Sequence, residues 1–146
     1  YLNTGSTLIG GCLFLFLQME YIVPPISVLD PLGKGLDYYK KSTINRRIRS
    51  YRIKLAKQKG DHKPFEWEEM KLFFENKCCS CNGQSGLINI ELDHVIPIYL
   101  GGSNGINNIQ PLCALCNIKK GGKVIDYRPS FCKLLNKQLP PKYISL

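Results

Sequence analysis

The sequence predicts a small α+β domain stapled by a metal, and three features carry that prediction. Two C-x-x-C pairs, Cys78/Cys81 and Cys113/Cys116, stand with 31 residues between them. Ahead of them lie two stretches with apolar residues at helical spacing. Between them lie short apolar runs broken by glycine and asparagine turns, the pattern of a hairpin.

At 146 residues and 16.6 kDa the chain has room for one modest domain, and a core of that size usually needs reinforcement. A 44% hydrophobic and 21% charged composition excludes bulk disorder. Seven cysteines are an odd number, and four of them sit in C-x-x-C pairs. That favours a metal site in a reducing, intracellular compartment (cytoplasm, nucleoid or organelle) over a secreted disulfide framework. Cys12, Cys79 and Cys132 read as unpaired thiols without a role.

The net charge of +9 is localised. Residues 40–63 hold ten Lys or Arg against one acid, Asp61, residues 64–118 hold two bases against six acids, and residues 119–146 hold seven bases against Asp126. A mildly acidic centre flanked by basic arms suits a protein that grips a polyanion with its arms and holds cations in its centre.

In chain order, residues 1–39 are the least interpretable. The run at 7–17, TLIGGCLFLFL, is shorter than the ~20 residues of a spanning helix and lacks the basic start of a signal peptide. It reads either as sequence upstream of a true start at Met19 or as a buried or interfacial segment, and a membrane role is not expected. Residues 22–34, with three prolines, read as an extended linker lying against the domain.

Residues 40–63 form a basic helix. Ile44, Ile48, Tyr51 and Leu55 share one stripe, while Arg46, Arg47, Arg49, Arg52, Lys54 and Lys57 take the other faces. Ser42 or Thr43 is the expected cap at its start and Gly60 at its end. A merely solvated helix normally carries i, i+4 partners of both signs; the near-absence of acids points instead to phosphate contact. A second helix, from about Phe65 to Asn76, sets Trp67, Met70 and Phe74 on one face and Glu66, Glu68, Glu69 and Glu75 around the rest, which suits a supporting role.

The two C-x-x-C pairs present four thiolates, the set for structural Zn(II). Cys79 beside Cys78 complicates the knuckle, and spacing favours Cys78. Between the pairs, Leu87, Ile88, Ile90 and Leu92 read as a strand running into Asp93-His94. Gly101-Gly102 and Ser103-Asn104-Gly105 form a turn-rich loop, Asn108 to Leu112 returns as a short edge strand, and a helix is expected from Ala114 to Lys120. Residues 64–121 thus form the central domain, and residues 122–146 a basic tail with a short helix near Ser130–Gln138.

The pattern DH-x-x-P, GG, N-[LI], C-x-x-C-N-x-x-KG is matched almost throughout by Asp93-His94, Gly101-Gly102, Asn108-Ile109 and the run Cys113 to Gly121. It resembles the HNH nuclease family, with its ββα-metal arrangement, and the likeness covers roughly residues 44–121, since a basic and then an acidic-aromatic helix often precede the first C-x-x-C there. The resemblance implies a metal-dependent DNA endonuclease. His94 would be the general base, and Asp93 and Asn117 would hold one divalent cation, Mg(II) or Mn(II). Asn108 would brace the loop and orient His94. Asn107 competes with Asn108 for that position, and the following Ile109 decides for Asn108. Lys119 and Lys120 join the basic helix as DNA contacts.

Two departures stand out. The last position is Asn117 rather than His, which leaves the cation a neutral ligand, and Phe65 stands where a Ser or Thr cap is common. The rival reading is a non-catalytic zinc module that binds nucleic acid, with Asp93, His94 and Asn117 structural; a thiol redox protein is a third. No small-molecule cofactor is called for. One active site cuts one strand at a time, so double-strand cleavage would need a homodimer or two visits.

Overall fold

The computed structural model describes residues 22–83 and 89–144. The apolar run at 7–17, Cys12, Met19, Leu87 and Ile88 lie outside the described residues.

The centre is an antiparallel pair of strands, β1 (Ile90–His94) and β2 (Ile109–Cys113), in the register Ile90 to Cys113, Asp93 to Gln110 and His94 to Ile109. The helix that follows β2 at once spans Ala114–Lys120, as the sequence predicts, and packs on both strands. The return strand begins one residue later than expected. Asn108 closes a 3-10 turn, Ile106–Asn108, because its amide is committed across the loop rather than to the ladder. Pro111 is tolerated within β2, and its carbonyl accepts the Cys79 N–H at 2.9 Å.

Four more α-helices stand among the described residues. In chain order they are α1 (Ile26–Leu29), α2 (Lys41–Lys59), α3 (Pro64–Phe73) and α5 (Arg128–Leu134), the post-strand helix being α4. α1 corrects the reading of residues 22–34 as wholly extended. Pro25 supplies the extended N-cap conformation from which four helical residues start, and the Asp30 carboxylate accepts the Lys34 and Gly35 N–H groups to turn the chain. The segment does lie against the domain: Arg47 donates to Leu29 O, and Arg52 Nε donates to Ile22 O at 2.8 Å.

The expected caps of α2 divide. Lys40 stands at the N-cap with no side-chain cap bond, so neither Ser42 nor Thr43 serves, whereas Gly60 does end the helix, in a conformation (φ 152°) open to glycine. The stripe Ile44, Ile48, Tyr51 and Leu55 is only half-buried, and Ala56 alone is fully buried in α2. α3 starts at Pro64, and the Glu66 carboxylate accepts the Lys63 N–H at 2.6 Å. That contact is the glutamate half of a capping box whose N-cap is Lys63, while Phe65 is exposed.

The core lies between α3, β2 and the tail. Met70, Phe74, Ile109, Leu112, Phe131, Cys132 and Tyr143 are buried together, with Trp67 packed against them, and the Phe74 and Phe131 rings meet at 5.8 Å. The tail is therefore part of the core. Its helix begins earlier than predicted because Arg128, fully buried, bonds Asp126 through Nε and Nη2 and donates Nη1 to Asn107 O and Ile109 O at 2.8 and 2.9 Å. Two tail lysines pair with acids in and just past α3: Lys142 with Glu69 and Lys137 with Glu75. Among the described residues no helix is long and apolar enough to cross a membrane.

Candidate active site and zinc knuckle

Cys78, Cys81, Cys113 and Cys116 bring their sulfurs within 4.8 Å of one another, with Cys81 and Cys113 at 3.9 Å. Tetrahedral Zn(II) with bonds of ~2.3 Å places its sulfurs about 3.8 Å apart, so the donor set and its spacing both fit zinc. The first knuckle is shaped by backbone bonds: Cys78 N donates to Gly83 O and Asn82 N to Cys78 O, each at 2.8 Å, with Asn82 at a positive φ of 61°. The second is the start of α4, where Cys116 N donates to Cys113 Sγ at 3.5 Å. Cys79 stands outside the cluster and is buried, and burial pushes its thiol far up. Burial likewise pushes the Cys116 thiol up to about 12; four clustered thiols lose their protons to a cation, not to water.

The turn between the strands is built on residues that no larger side chain can replace. Gly101 has φ 90°, and a Cβ on Gly102 would stand 2.0 Å from Ile96 O and 2.8 Å from Asn108 Nδ2. Asn108 fills the space under that glycine. Its Oδ1 accepts Ile96 N, its Nδ2 donates to Ile96 O and Ser103 O, and its own carbonyl accepts Val95 N, all at 2.8–2.9 Å. These bonds tie the two sides of the loop together. The side chain that touches His94 is a different one, Asn104, whose Oδ1 lies 3.0 Å from His94 Nε2.

His94 ends β1 and lines a groove of about 720 Å³. Asn45, Ile48, Arg49 and Arg52 of α2 form one wall; Asp93, His94, Asn104 and Lys120 form the other. Burial pushes the imidazole below its ordinary value of 6.5, with the Asn104 contact and the Asp93 charge opposing. The shift favours the neutral imidazole, the form that can accept a proton.

On the α4 side of β1, side chains pair in two rungs. Asn117 Nδ2 donates to Glu91 Oε2 at 2.9 Å, and one rung on, Lys120 Nζ lies 3.0 Å from Asp93 Oδ2. Gln110 Nε2 also donates to Asp93 Oδ2, at 2.8 Å. Carboxylate and amide oxygens are the donor type for a hard cation. Asp93 and Asn117 nonetheless stand on different rungs, and Asp93 already faces an ammonium group. Glu91 is the carboxylate bonded to Asn117.

Other expected contacts sort by geometry. Arg46, Arg49, Lys54, Lys57 and Lys119 are exposed. Arg47 and Arg52 are half-buried on backbone carbonyls, and Lys120 is buried on Asp93 and donates to His94 O at 2.8 Å. Glu91, Asn104 and Gln110 were not expected in the site. The period of two from Asp93 points to Glu91, and a glutamine in the otherwise apolar run Ile109 to Leu112 points to Gln110. Asn104 reads only as a turn residue.

With the paired cysteines, the Asp93-His94 strand end and α4 in place, comparison with known proteins becomes informative. Residues 78–128 match the HNH endonuclease family. No curated protein and no solved structure matches the chain. The HNH segment thus takes in the zinc knuckle, the hairpin, α4 and the chain up to the buried Arg128, and α2 and α3 stand outside it.

Proposed function

We propose that the protein is a metal-dependent DNA endonuclease in which the HNH segment carries the chemistry and α2 carries the DNA. The observation that supports this most is the groove itself: a half-buried imidazole, shifted toward its neutral form, lines a cleft whose opposite wall bears Arg49 and Arg52. A phosphodiester entering there meets a base on one side and guanidinium charge on the other.

In this reading His94 accepts the proton of a water as its oxygen attacks phosphorus. The P–O3′ bond breaks, and the departing oxygen takes a proton from solvent, giving a 5′-phosphate and a 3′-hydroxyl. Asp93 and Asn117, with Glu91 beside them, would hold Mg(II) or Mn(II), which supplies charge stabilisation at the phosphate and the leaving oxygen. Lys120 has to release Asp93 for that ligation. Arg49, Arg46, Lys54 and Lys119 contribute backbone attraction that carries no sequence preference.

One observation favours a second reading, a zinc module that binds nucleic acid without cutting it. The Asp93–Lys120 pair is closed and buried, as a structural ion pair would be. Plasmid incubated with the purified protein separates the two. Nicking that requires Mg(II) or Mn(II), stops with EDTA and disappears in His94→Ala supports the nuclease. Binding without cleavage by folded, zinc-loaded protein supports the module.

A further inference from the structure

Asn104 is bonded on three sides, and the three bonds together specify which nitrogen of His94 is the base. Its Oδ1 lies 3.0 Å from His94 Nε2, its Nδ2 donates to Asp61 Oδ1, and its own carbonyl lies 2.7 Å from His62 Nδ1. The backbone is fixed as well, since Asn104 N donates to Ala56 O at 3.1 Å. An amide flipped end for end would set its oxygen against the Asp61 carboxylate, two acceptors with no proton between them. Asp61 therefore determines that the oxygen faces His94.

An amide oxygen only accepts, so His94 Nε2 must carry the hydrogen. Its Nδ1 is then the lone-pair nitrogen. By the same logic His62 must carry its hydrogen on Nδ1, because a backbone carbonyl also only accepts. We infer that Asn104 is a positioning residue that holds His94 as the Nε2–H tautomer with Nδ1 as the basic atom, and that Asp61, itself paired with Lys57 at 3.3 Å, orients Asn104 for that purpose. This rests on the nuclease reading for its catalytic meaning, but the bond itself does not. It also joins the base to the end of the DNA-facing helix α2, because Ala56 and Lys57 belong to that helix.

The test is nitrogen-15 NMR of the full, zinc-loaded chain labelled at histidine. The chain has two histidines, so His62→Gln assigns both signals. The expected result is opposite tautomers, Nε2–H for His94 and Nδ1–H for His62, with the His94 Nε2–H proton protected from exchange. In Asn104→Leu that protected proton is lost, and plasmid cleavage falls in kcat by about 10–100-fold, the range for residues that orient a functional histidine, with KM unchanged. The double variant Asn104→Asp with Asp61→Asn again offers His94 an acceptor oxygen and a hydrogen bond between the two partners, and it restores both the protected proton and most of the rate. That rescue separates positioning from a folding defect.

An Nδ1–H tautomer at His94 in the unmodified protein, or a protected Nε2–H proton that survives in Asn104→Leu, overturns the inference while leaving cleavage to be judged separately. Protected protons of the expected kind in a protein that cuts no DNA overturn the nuclease reading and with it the catalytic meaning of Asn104.

Discussion

Lys120 Nζ lies 3.0 Å from Asp93 Oδ2 and 2.8 Å from the carbonyl of His94, and the lysine is 1% exposed. A residue expected to touch DNA and a residue expected to hold a cation are thus bonded to each other beside His94. The ammonium group holds the end of β1 against α4. In the nuclease reading, a substitution at Asp93 acts on both stability and cation binding.

Replacing Asp93 with alanine leaves the Lys120 charge buried without a partner, which costs about 3–5 kcal/mol. Thermal unfolding should show that loss in Asp93→Ala but not in His94→Ala. Asp93→Ala combined with Lys120→Met should recover most of it, because the pair is then replaced by apolar volume. If Asp93→Ala unfolds at the temperature of the parent protein, the pair contributes nothing to stability and its closed geometry has no structural meaning.

Zinc removal should unfold the domain rather than merely inactivate it. The knuckle joins the end of α3 to α4, and structural Zn(II) binding contributes about 10–16 kcal/mol in small zinc domains. Circular dichroism after treatment with a strong chelator should lose helix and strand signal together. Cys81→Ser should show the same loss at lower chelator concentration. Cys79→Ser should keep one zinc per chain by elemental analysis, since Cys79 stands outside the cluster; loss of zinc there would mean that Cys79 is a ligand.

The pieces legible in the sequence are those that a local rule decides. Metal-ligand spacing marks the four cysteines, glycine marks the two turn positions where backbone approach or positive φ allows nothing larger, and period gives α2 and α3. What was not legible is pairwise and non-local. Arg128 reads as one more basic tail residue until Asp126 and two carbonyls of the β2 region surround it. Lys120 reads as a DNA contact until burial gives it to Asp93. Asn104 reads as a turn former because its neighbours are Ser103 and Gly105, and its partners Asp61 and His94 come from other parts of the chain. Charge composition likewise does not reveal that Arg47 is occupied with Leu29 and stacked on Tyr39 at 4.1 Å while Arg49 lines the groove.

That difference between two arginines of one helix is measurable. Arg49→Ala should weaken DNA binding and lower the slope of log K against log salt by about 1, as loss of one phosphate contact does. Arg47→Ala should leave the slope nearly unchanged and lower the unfolding temperature, because it removes the tie between α1 and α2. Equal salt slopes for both variants would mean that the groove wall does not meet phosphate.

In the proposed mechanism the pH dependence of cleavage follows from the partial burial of His94. Burial lowers its pKa below 6.5, and the Asn104 hydrogen bond raises it by a smaller amount. The base is the neutral form, so activity is full above the folded pKa and is lost as pH falls through it. With that pKa lowered, the acid limb of kcat should have its midpoint below 6.5 rather than at the ordinary imidazole value. The sign for stability is the same: folding favours the neutral imidazole, so this contribution is complete above 6.5 and declines as pH falls from there. Removing the Asn104 hydrogen bond in Asn104→Leu should move the limb further down, since the group that opposed the effect of burial is gone. A limb midpoint above 6.5 would mean that His94 is charged at rest in the groove, and the neutral-base mechanism would fall.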